Sequence, residues 1–151
     1  MIAYPDTSFL CSLYREQVFS EKARLHRHRM TEALHATALL EFEFMQAIEL
    51  QVFLHSNDRT KGYGRNVAEA VIAKWHEQIA EGKVKLVPCD TDEVIGYALK
   101  LSRCHTAEGG HRSLDLLHLA TAVHLGAKEF LSFDDRQVKL ARKLGLATPL
   151  V

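Results

Sequence analysis

The sequence predicts an α/β domain in which helices flank a mostly parallel central sheet. Short apolar segments of strand character alternate with longer segments whose apolar residues recur at helical spacing. Turn-forming residues such as Pro5, Gly82, Pro88 and Gly126 separate these segments. An alternation of this kind buries short strands between amphipathic helices, and that arrangement is typical of a parallel sheet.

Composition limits the class of protein further. The chain has 151 residues, of which 47% are hydrophobic and 25% charged, so we expect one globular domain spanning residues 1–151. Lys and Arg together number 19, as do Asp and Glu, and the net charge is zero. A neutral chain lacks the strong basic field on which non-specific nucleic-acid binding depends, but a local basic patch is compatible with this composition.

The cysteines and the apolar segments indicate the compartment. Cys11, Cys89 and Cys104 are widely spaced and form no CxxC motif, which fits a reducing cytosol. No apolar run approaches the length of about 20 residues that a transmembrane helix needs. The N-terminal MIAYPDTSFL has neither a basic segment nor a long apolar one, unlike a signal peptide. We therefore expect a cytoplasmic protein that does not contact a membrane.

Two strands and three helices are expected in the first part of the chain. In order, they are a strand at 2–4, a short helix at 9–13, a polar surface helix at 20–33 with Ser20 as its N-cap, a buried strand within 34–39 and a helix at 39–54. Leu40, Phe44 and Ile48 recur at helical spacing in the last of these segments. The mixture of turn formers and basic residues at 55–64 predicts a loop.

The remainder of the chain repeats the alternation. In order, we expect a helix at 66–81 ended by Gly82, a strand at 84–87, a helix at 92–105 capped by Thr91, a loop at 105–113, a helix from Ser113 to Leu125, a strand at 129–133, a helix at 134–144 and a last strand at 147–150. Trp75 has core spacing in the first of these helices, so we expect it to pack inside the protein rather than to stack on a ligand.

Acidic side chains follow several of the predicted strands. Asp6 comes after the first strand and Asp134 after the strand EFLSF, while Asp115 lies in the first turn of a helix. Glu41 and Glu43 lie early in the helix that follows the second strand. Because the functional sites of open parallel sheets gather at the carboxyl ends of the strands, four regions of the chain can deliver carboxylates to one edge.

Such a group of acids predicts a divalent cation. Carboxylates at short range disfavour each other's charged form, and a hard cation removes this cost. Mg²⁺ prefers oxygen ligands, keeps several waters and needs only a few carboxylates. An ion held in this way can activate water for attack on a phosphodiester. The arrangement therefore indicates a metal-dependent hydrolase.

Four motifs resemble a known family. YPDTSFLCSLY resembles the opening element of the PIN-domain ribonucleases, and LEFEFMQAI resembles their helix with a Glu followed three residues later by an amide. RSLDLLHLATAVHLGAKEFLSFD resembles their C-terminal signature, and RQVKLARKLGL the segment after it. The chain is most similar to the VapC-type toxins of bacterial toxin–antitoxin pairs. This resemblance implies a PIN-like three-layer fold with the sheet between two layers of helices.

The resemblance also implies the roles of individual residues. It implies an acidic catalytic set, of which the three aspartates are metal ligands: Asp6, Glu43, Asp115 and Asp134. Ser8 occupies the family's hydroxyl position, which helps to hold a metal-bound water. Gln46 stands where the family usually has Asn, and the second acid of the Asp134–Asp135 pair lies outside the usual pattern. Neither difference removes a metal-binding group.

The implied activity is hydrolysis of RNA by an endoribonuclease that depends on Mg²⁺ or Mn²⁺. A homodimer and a cognate antitoxin, whose tail enters the acidic site, are implied as partners. One alternative is a catalytically silent PIN fold kept for protein binding. A second is a phosphohydrolase of the haloacid dehalogenase type, since DTS follows a strand as that family's nucleophile does. That family needs a second Asp two residues after the first, where this chain has Ser8.

Within and beside the motifs, the two glutamates and the two arginines have different expected roles. Glu41 and Glu43 point about 200° apart on a helix of 3.6 residues per turn, so only one of them can face the site. The family spacing favours Glu43, and Glu41 suits the positive end of the helix dipole. Arg112 and Arg136 flank the acids and are candidates for phosphate contacts, since Arg binds phosphate in a bidentate manner.

The remaining polar residues favour other roles. His111, His118 and His124 provide no clear tetrahedral zinc set, and His118 suits packing or hydrogen bonding. The basic segments at 23–29 and 59–65 are interpreted as solvated surface.

Overall fold

A parallel sheet of four strands forms the centre of the protein. The computed structural model describes residues 1–151 and has the strands β1 (Ala3–Pro5), β2 (Leu34–Ala36), β3 (Val84–Leu86) and β4 (Glu129–Leu131). Their order across the sheet is β3-β2-β1-β4, and all three pairings are parallel. The predicted α/β class is confirmed, and the sheet is wholly parallel.

The helices alternate with these strands. They are α1 (Thr7–Tyr14), α2 (Ser20–Arg29), α3 (Ala38–Asn57), α4 (Arg65–Ala80), α5 (Thr91–Leu101), a single turn α6 (Ala107–Gly109), α7 (Ser113–His124) and α8 (Asp135–Lys143). Residues Ser102–Thr106 are π-helical and join α5 to α6. None of these helices combines the length and apolar character that crossing a membrane requires.

The order of the strands places the helices in two layers. The chain steps in one direction from β1 to β2 to β3, and then returns across the sheet to β4. Because crossovers between parallel strands are right-handed, opposite directions of travel place the connecting helices on opposite faces. Helices α1 to α4 pack on one another, and α7 packs on both α5 and α8. The direction reverses between β1 and β4, and such a reversal opens a crevice at the carboxyl ends of the two strands.

Aromatic residues fill the layer formed by α1, α3 and α4. Trp75 is fully buried and packs edge-to-face on Phe44 and Tyr14, with ring centroids 5.2 and 5.8 Å away. Its indole Nε1 donates a hydrogen bond of 2.8 Å to Glu41. The core position predicted for Trp75 is confirmed, and Glu41 supplies the partner that a buried indole N–H needs.

Three predicted helix caps are wrong by one residue. Ser20, Thr91 and Ser113 are the first helical residues, and the N-cap positions belong to the residues before them. Asp90 caps α5 by accepting a bond of 3.1 Å from the Glu93 N–H. The Ser20 hydroxyl instead donates to the Arg15 carbonyl and accepts from the Gln17 N–H, so it stabilises the turn before α2.

Other segments also differ from their predictions, among them the polar helix predicted at 20–33, which ends at Arg29. The loop predicted at 105–113 is helical as far as Gly109, because no residue that breaks a helix precedes the Gly109–Gly110 pair. Gly110 then adopts the left-handed conformation, with φ of 64°, and ends the helical run. The last strand, predicted at 147–150, is reduced to a single bridge between Ala147 and Glu129.

Candidate active site

The first acid, Asp6, lies at the crevice between β1 and β4. It follows β1 directly, and its backbone N–H donates to the Leu131 carbonyl at 2.9 Å, which extends the pairing with β4. The side chain also caps α1 by accepting a bond from the Phe9 N–H. One residue therefore ends a strand, begins a helix and carries a carboxylate at the point where the strand order reverses.

The carboxylate of Asp6 is 1% exposed and accepts four hydrogen bonds. Oδ1 accepts from the Ser8 hydroxyl at 2.6 Å and from the Phe9 N–H at 2.9 Å. Oδ2 accepts from the Ser132 hydroxyl at 2.5 Å and from Nε2 of Gln137 at 2.9 Å. Burial raises the pKa of Asp6 above its ordinary value, and the bonds from the two hydroxyls and the Phe9 N–H oppose this rise.

Two serine hydroxyls tie the segment after β4 to Asp6. The Ser8 hydroxyl donates to Asp6 and accepts from the Phe133 N–H at 3.1 Å. The Ser132 hydroxyl donates to Asp6 and accepts from the Asp134 N–H at 3.0 Å. Since each hydroxyl bonds to both sides of the crevice, these bonds fix the backbone of Asp134 relative to Asp6.

Asp134 presents one of its two carboxylate oxygens to the cleft. Oδ1 caps α8 by accepting bonds from the N–H groups of Arg136 and Gln137, at 2.9 and 3.1 Å. Oδ2 faces Arg112, whose Nη2 lies 3.8 Å away. Asp135 lies in the first turn of α8 and is exposed to solvent. The two adjacent acids therefore differ in surroundings, and Asp134 is the one bonded into the site.

Arg112 is the cation nearest to the acids. Its Nε donates to Oδ2 of Asp115 at 3.0 Å, while its Nη2 approaches Asp134. One guanidinium thus joins two of the three carboxylates that were predicted to bind a metal. Asp115 and Asp134 therefore lie close enough to contact the same positive charge. Carboxylate oxygens are also the ligands that a hard divalent cation prefers. In this arrangement, however, no three acidic, His or Cys side chains form a cluster that could hold an ion.

Glu43 enters the site from α3 and is held by His118. The Glu43 carboxylate accepts a hydrogen bond from Nε2 of His118, and Nδ1 of His118 lies 2.9 Å from the Tyr4 hydroxyl. With Nε2 bonded to Glu43 and Nδ1 bonded to the Tyr4 hydroxyl, the buried imidazole is satisfied on both sides. Burial raises the pKa of Glu43, but the bond and charge of His118 outweigh it and leave the pKa below its ordinary value.

Of the other predicted residues, Arg136 borders the cleft, and Gln46 and Glu41 line no part of it. Arg136 donates from Nη1 to the Gly110 carbonyl at 3.1 Å and borders the cleft beside Asp134. Gln46 is exposed on α3 and its side chain makes no hydrogen bond within the protein. Glu41 lies on another face of α3 from Glu43, where it bonds to Trp75.

Sequence reasoning missed Ser132 and Gln137. Both are buried polar residues that donate to Asp6 from positions 126 and 131 residues further along the chain. A signal for Gln137 exists in the sequence, because it occupies the buried face of α8 with Val138, Leu140 and Ala141. A polar residue on an apolar helix face needs a hydrogen-bond partner, and Gln137 finds it in Asp6 of a distant segment.

The comparisons with known proteins identify the family. The model of the PIN domain matches residues 3–143 of this chain. The chain belongs to the PIN-domain family. No curated protein is similar enough in sequence to match it.

Solved PIN-fold structures resemble the whole chain. VapC20 of Mycobacterium tuberculosis, described as a sarcin–ricin loop cleaving toxin, has a TM-score of 0.65 and 15% identity over 91% of this chain and 94% of that one. VapBC2 of Rickettsia felis, bound to a DNA fragment from their promoter, has a TM-score of 0.64 and 12% identity over 98% and 97%. FitAcB of Neisseria gonorrhoeae has a TM-score of 0.63 and 14% identity over 97% and 96%. At such identities, these likenesses establish the shared PIN fold.

Proposed function

We propose that this PIN domain is a metal-dependent endoribonuclease and the toxin component of a type II toxin–antitoxin pair. The proposal is supported by the acids near the reversal of the strand order: Arg112 joins Asp115 to Asp134, Glu43 lines the same pocket as Asp115, and Ser132 links Asp6 to the backbone of Asp134. The PIN-family match and the fold shared with VapC20, which cleaves the sarcin–ricin loop, support RNA as the substrate.

Three aspartates are assigned to the metal. Asp115 and Asp134 already lie on either side of the Arg112 guanidinium, whose positive charge the metal ion would replace. Asp6 would exchange one of its four hydrogen bonds for a bond to the ion. Bound Mg²⁺ or Mn²⁺ would supply Lewis-acid activation of water and neutralise charge on the phosphate. The bonds from Ser8 and Ser132 orient the Asp6 carboxylate, and we assign to Ser8 a contact with an ion-bound water.

Glu43 is assigned to the water that attacks the phosphodiester. It borders the part of the cleft that also contains Arg112 and Asp115. Because its pKa is low, Glu43 is charged at neutral pH and can accept a hydrogen bond from water. Arg112 would leave its two aspartates for the substrate phosphate as the ion enters, while Arg136 would contact phosphate from the rim. Gln46 is proposed as a polar neighbour of Glu43 on α3.

The proposed partners are an RNA substrate, a second copy of the chain and a cognate antitoxin. The fold shared with VapBC2 and FitAcB supports the antitoxin. We further propose that residues 1–151 form a single domain that acts in the cytoplasm.

Metal-dependent cleavage is the test of the proposed function. A fluorogenic RNA should be cleaved in Mg²⁺ or Mn²⁺, lose cleavage in excess EDTA and regain it when the ion is restored. The Asp115→Asn variant, which keeps the size of the side chain, should be inactive under all three conditions. Full cleavage in EDTA would contradict the metal mechanism, and no cleavage of any RNA would favour a silent protein-binding domain.

A further inference from the structure

A second groove of about 390 Å³ lies beside the acidic cleft, between α6 and α8. Five of its lining residues carry basic side chains and one carries an acid: His105, His111, Arg136, Lys139, Lys143 and Glu108. The chain as a whole has no net charge, so this groove is a local excess of positive charge. Sequence reasoning assigned no role to the two lysines or to the groove.

The cations of α8 are arranged along one side of the helix. Arg136, Lys139 and Lys143 are spaced by three and four residues, which brings them to the same face. None of the three forms an ion pair with an acidic side chain. From Arg136 to Lys143 the helix rises by about 10 Å, at 1.5 Å per residue. This face of α8 therefore presents three unpaired positive charges along a length that can contact more than one phosphate group.

The opposite wall of the groove contains two glycines and the partly buried His111. Gly110 adopts φ of 64°, and its carbonyl accepts the bond from Arg136 that joins this wall to α8. A Cβ on Gly109 would lie 2.3 Å from Nε2 of His111, so a side chain there would collide with the imidazole. Nδ1 of His111 is buried without a hydrogen-bond partner. The wall is thus shaped around a polar ring with one ring nitrogen uncommitted.

The groove continues into the acidic cleft. Arg136 lines both the groove and the part of the cleft that contains Asp134. Arg112 lines that part and the next one, which contains Glu43 and Asp115. The groove and the two parts of the cleft are therefore neighbours, with an arginine at each junction that can contact the phosphates of one strand. Proteins that bind single strands use a positively charged groove of this kind to follow the nucleic-acid backbone.

We propose that the groove of Lys139 and Lys143 binds backbone phosphates of the RNA to one side of the scissile phosphate. This inference rests on the proposed nuclease function and adds to it a second contact region on the substrate. The groove holds flanking nucleotides while the acids act on the bond to be broken. Its lysines contribute affinity for a strand, and since they touch only phosphates they contribute no base specificity.

The test compares two double variants that remove equal charge. Lys139→Gln/Lys143→Gln alters the groove, and Lys22→Gln/Lys85→Gln alters exposed lysines of α2 and β3 that form no ion pair. Binding of a fluorescent RNA of about twelve nucleotides is measured by anisotropy in EDTA, across a series of salt concentrations. EDTA prevents cleavage by the proposed mechanism and leaves the groove unchanged. Thermal unfolding verifies that both variants are folded.

The groove variant should bind several-fold more weakly than the wild type. Its slope of log K against log salt should be smaller by about 1.4, since each phosphate contact on a single strand contributes about 0.7. In the presence of metal, KM for the long RNA should rise with kcat unchanged, and cleavage of a dinucleotide too short to reach the lysines should not change. The control variant should match the wild type in every measurement.

Three outcomes would overturn the inference. Unchanged affinity and salt slope would show that RNA does not use the groove. Equally weaker RNA binding in both variants would show that the loss comes from the lower overall charge and not from the groove. Unchanged RNA binding together with weaker binding of a polyglutamate peptide would assign the groove to an acidic protein partner. Failure of the proposed function is distinct from all three, because it is decided by whether the wild-type protein cleaves RNA.

Discussion

The neighbouring residues Asp134 and Asp135 show how position alone separates two identical side chains. Asp134 caps α8 and faces Arg112, while Asp135 is exposed in the first turn of the helix. We expect Asp134→Asn to weaken metal binding and cleavage, and to leave the fold intact because Asn is also a good N-cap. Asp135→Asn should retain most activity and lose at most about 0.3–1 kcal/mol of stability through the helix dipole.

Calorimetric metal titration and cleavage rates measure both variants. Equal losses would mean that both acids serve the ion. A loss confined to Asp135→Asn would reverse the assignment.

Glu43 and Glu41 form a second matched pair. Glu43→Gln removes the charge held by His118, and cleavage should fall by at least about tenfold, equivalent to about 1.4 kcal/mol on the barrier. Glu41→Gln keeps an oxygen that can accept the Trp75 N–H, so activity and stability should change little. Cleavage rates of the two variants are the measurement. A larger loss in Glu41→Gln would place the catalytic acid on the other face of α3.

His118 connects Glu43 to the buried Tyr4, and its loss should be visible in the pH dependence of stability. The folded-state pKa of Glu43 is lowered, so the charged carboxylate stabilises the protein above its ordinary pKa of 4.5, and this stabilisation is lost as pH falls through the lowered value. His118→Gln should therefore be less stable than the wild type at pH 7, and the difference should shrink below pH 4.5. Urea unfolding at a series of pH values measures it. A difference that is constant with pH would mean that His118 acts only by packing.

Among the elements, the turn between α3 and α4 depends on one glycine. Gly62 has φ of 58°, and a Cβ there would lie 2.1 Å from the Gln51 carbonyl oxygen. Gly62→Ala should lose more stability than the cost of about 1–2 kcal/mol for a left-handed residue, because backbone must also move. Gly82→Ala is the control, since Gly82 has φ of 74° with no atom near its Cβ position. Urea unfolding of both should give the larger loss at Gly62, and equal losses would show that the turn adapts.

The helices and strands show which features a sequence pattern predicts. Apolar spacing located α3 and α4 because it depends on neighbours within one helix. The caps predicted at Ser20, Thr91 and Ser113 were each wrong by one residue, since the backbone angles decide where a helix begins; only at Asp90 does another polar side chain take the cap. The π-helical run from Ser102 to Thr106 has no simple sequence pattern.

The sequence predicted some residues of the candidate site and missed others. The positions of Asp6 and Asp134 after strands were enough to place both at the edge of the sheet. The partners Ser132 and Gln137 were not foreseen, because their bonds to Asp6 depend on tertiary packing between distant segments.

For the whole molecule, the proposed toxin role has a genetic prediction. Expression of the chain alone should arrest growth, and co-expression with a small neighbouring antitoxin gene should restore it. The physical reason is that a bound antitoxin would block the cleft to RNA. Growth curves of induced cells provide the measurement, with the Asp115→Asn variant as the inactive control. Harmless expression of the active chain would remove the toxin role and leave the nuclease to be judged by RNA cleavage.

The strand order also determines when the site can come into existence. β1 is synthesised first and lies inside the sheet, while its neighbour β4 is synthesised last. Asp6 acquires its bonds to Ser132 and Gln137 only after those residues have left the ribosome, and chains emerge from the N-terminus at about 5–20 residues per second. A nascent chain that stops before β4 carries Asp6 without Ser132 and Gln137, which supply two of its four hydrogen bonds. A cell that makes this protein is therefore exposed to the assembled cleft only once translation has passed β4 and α8.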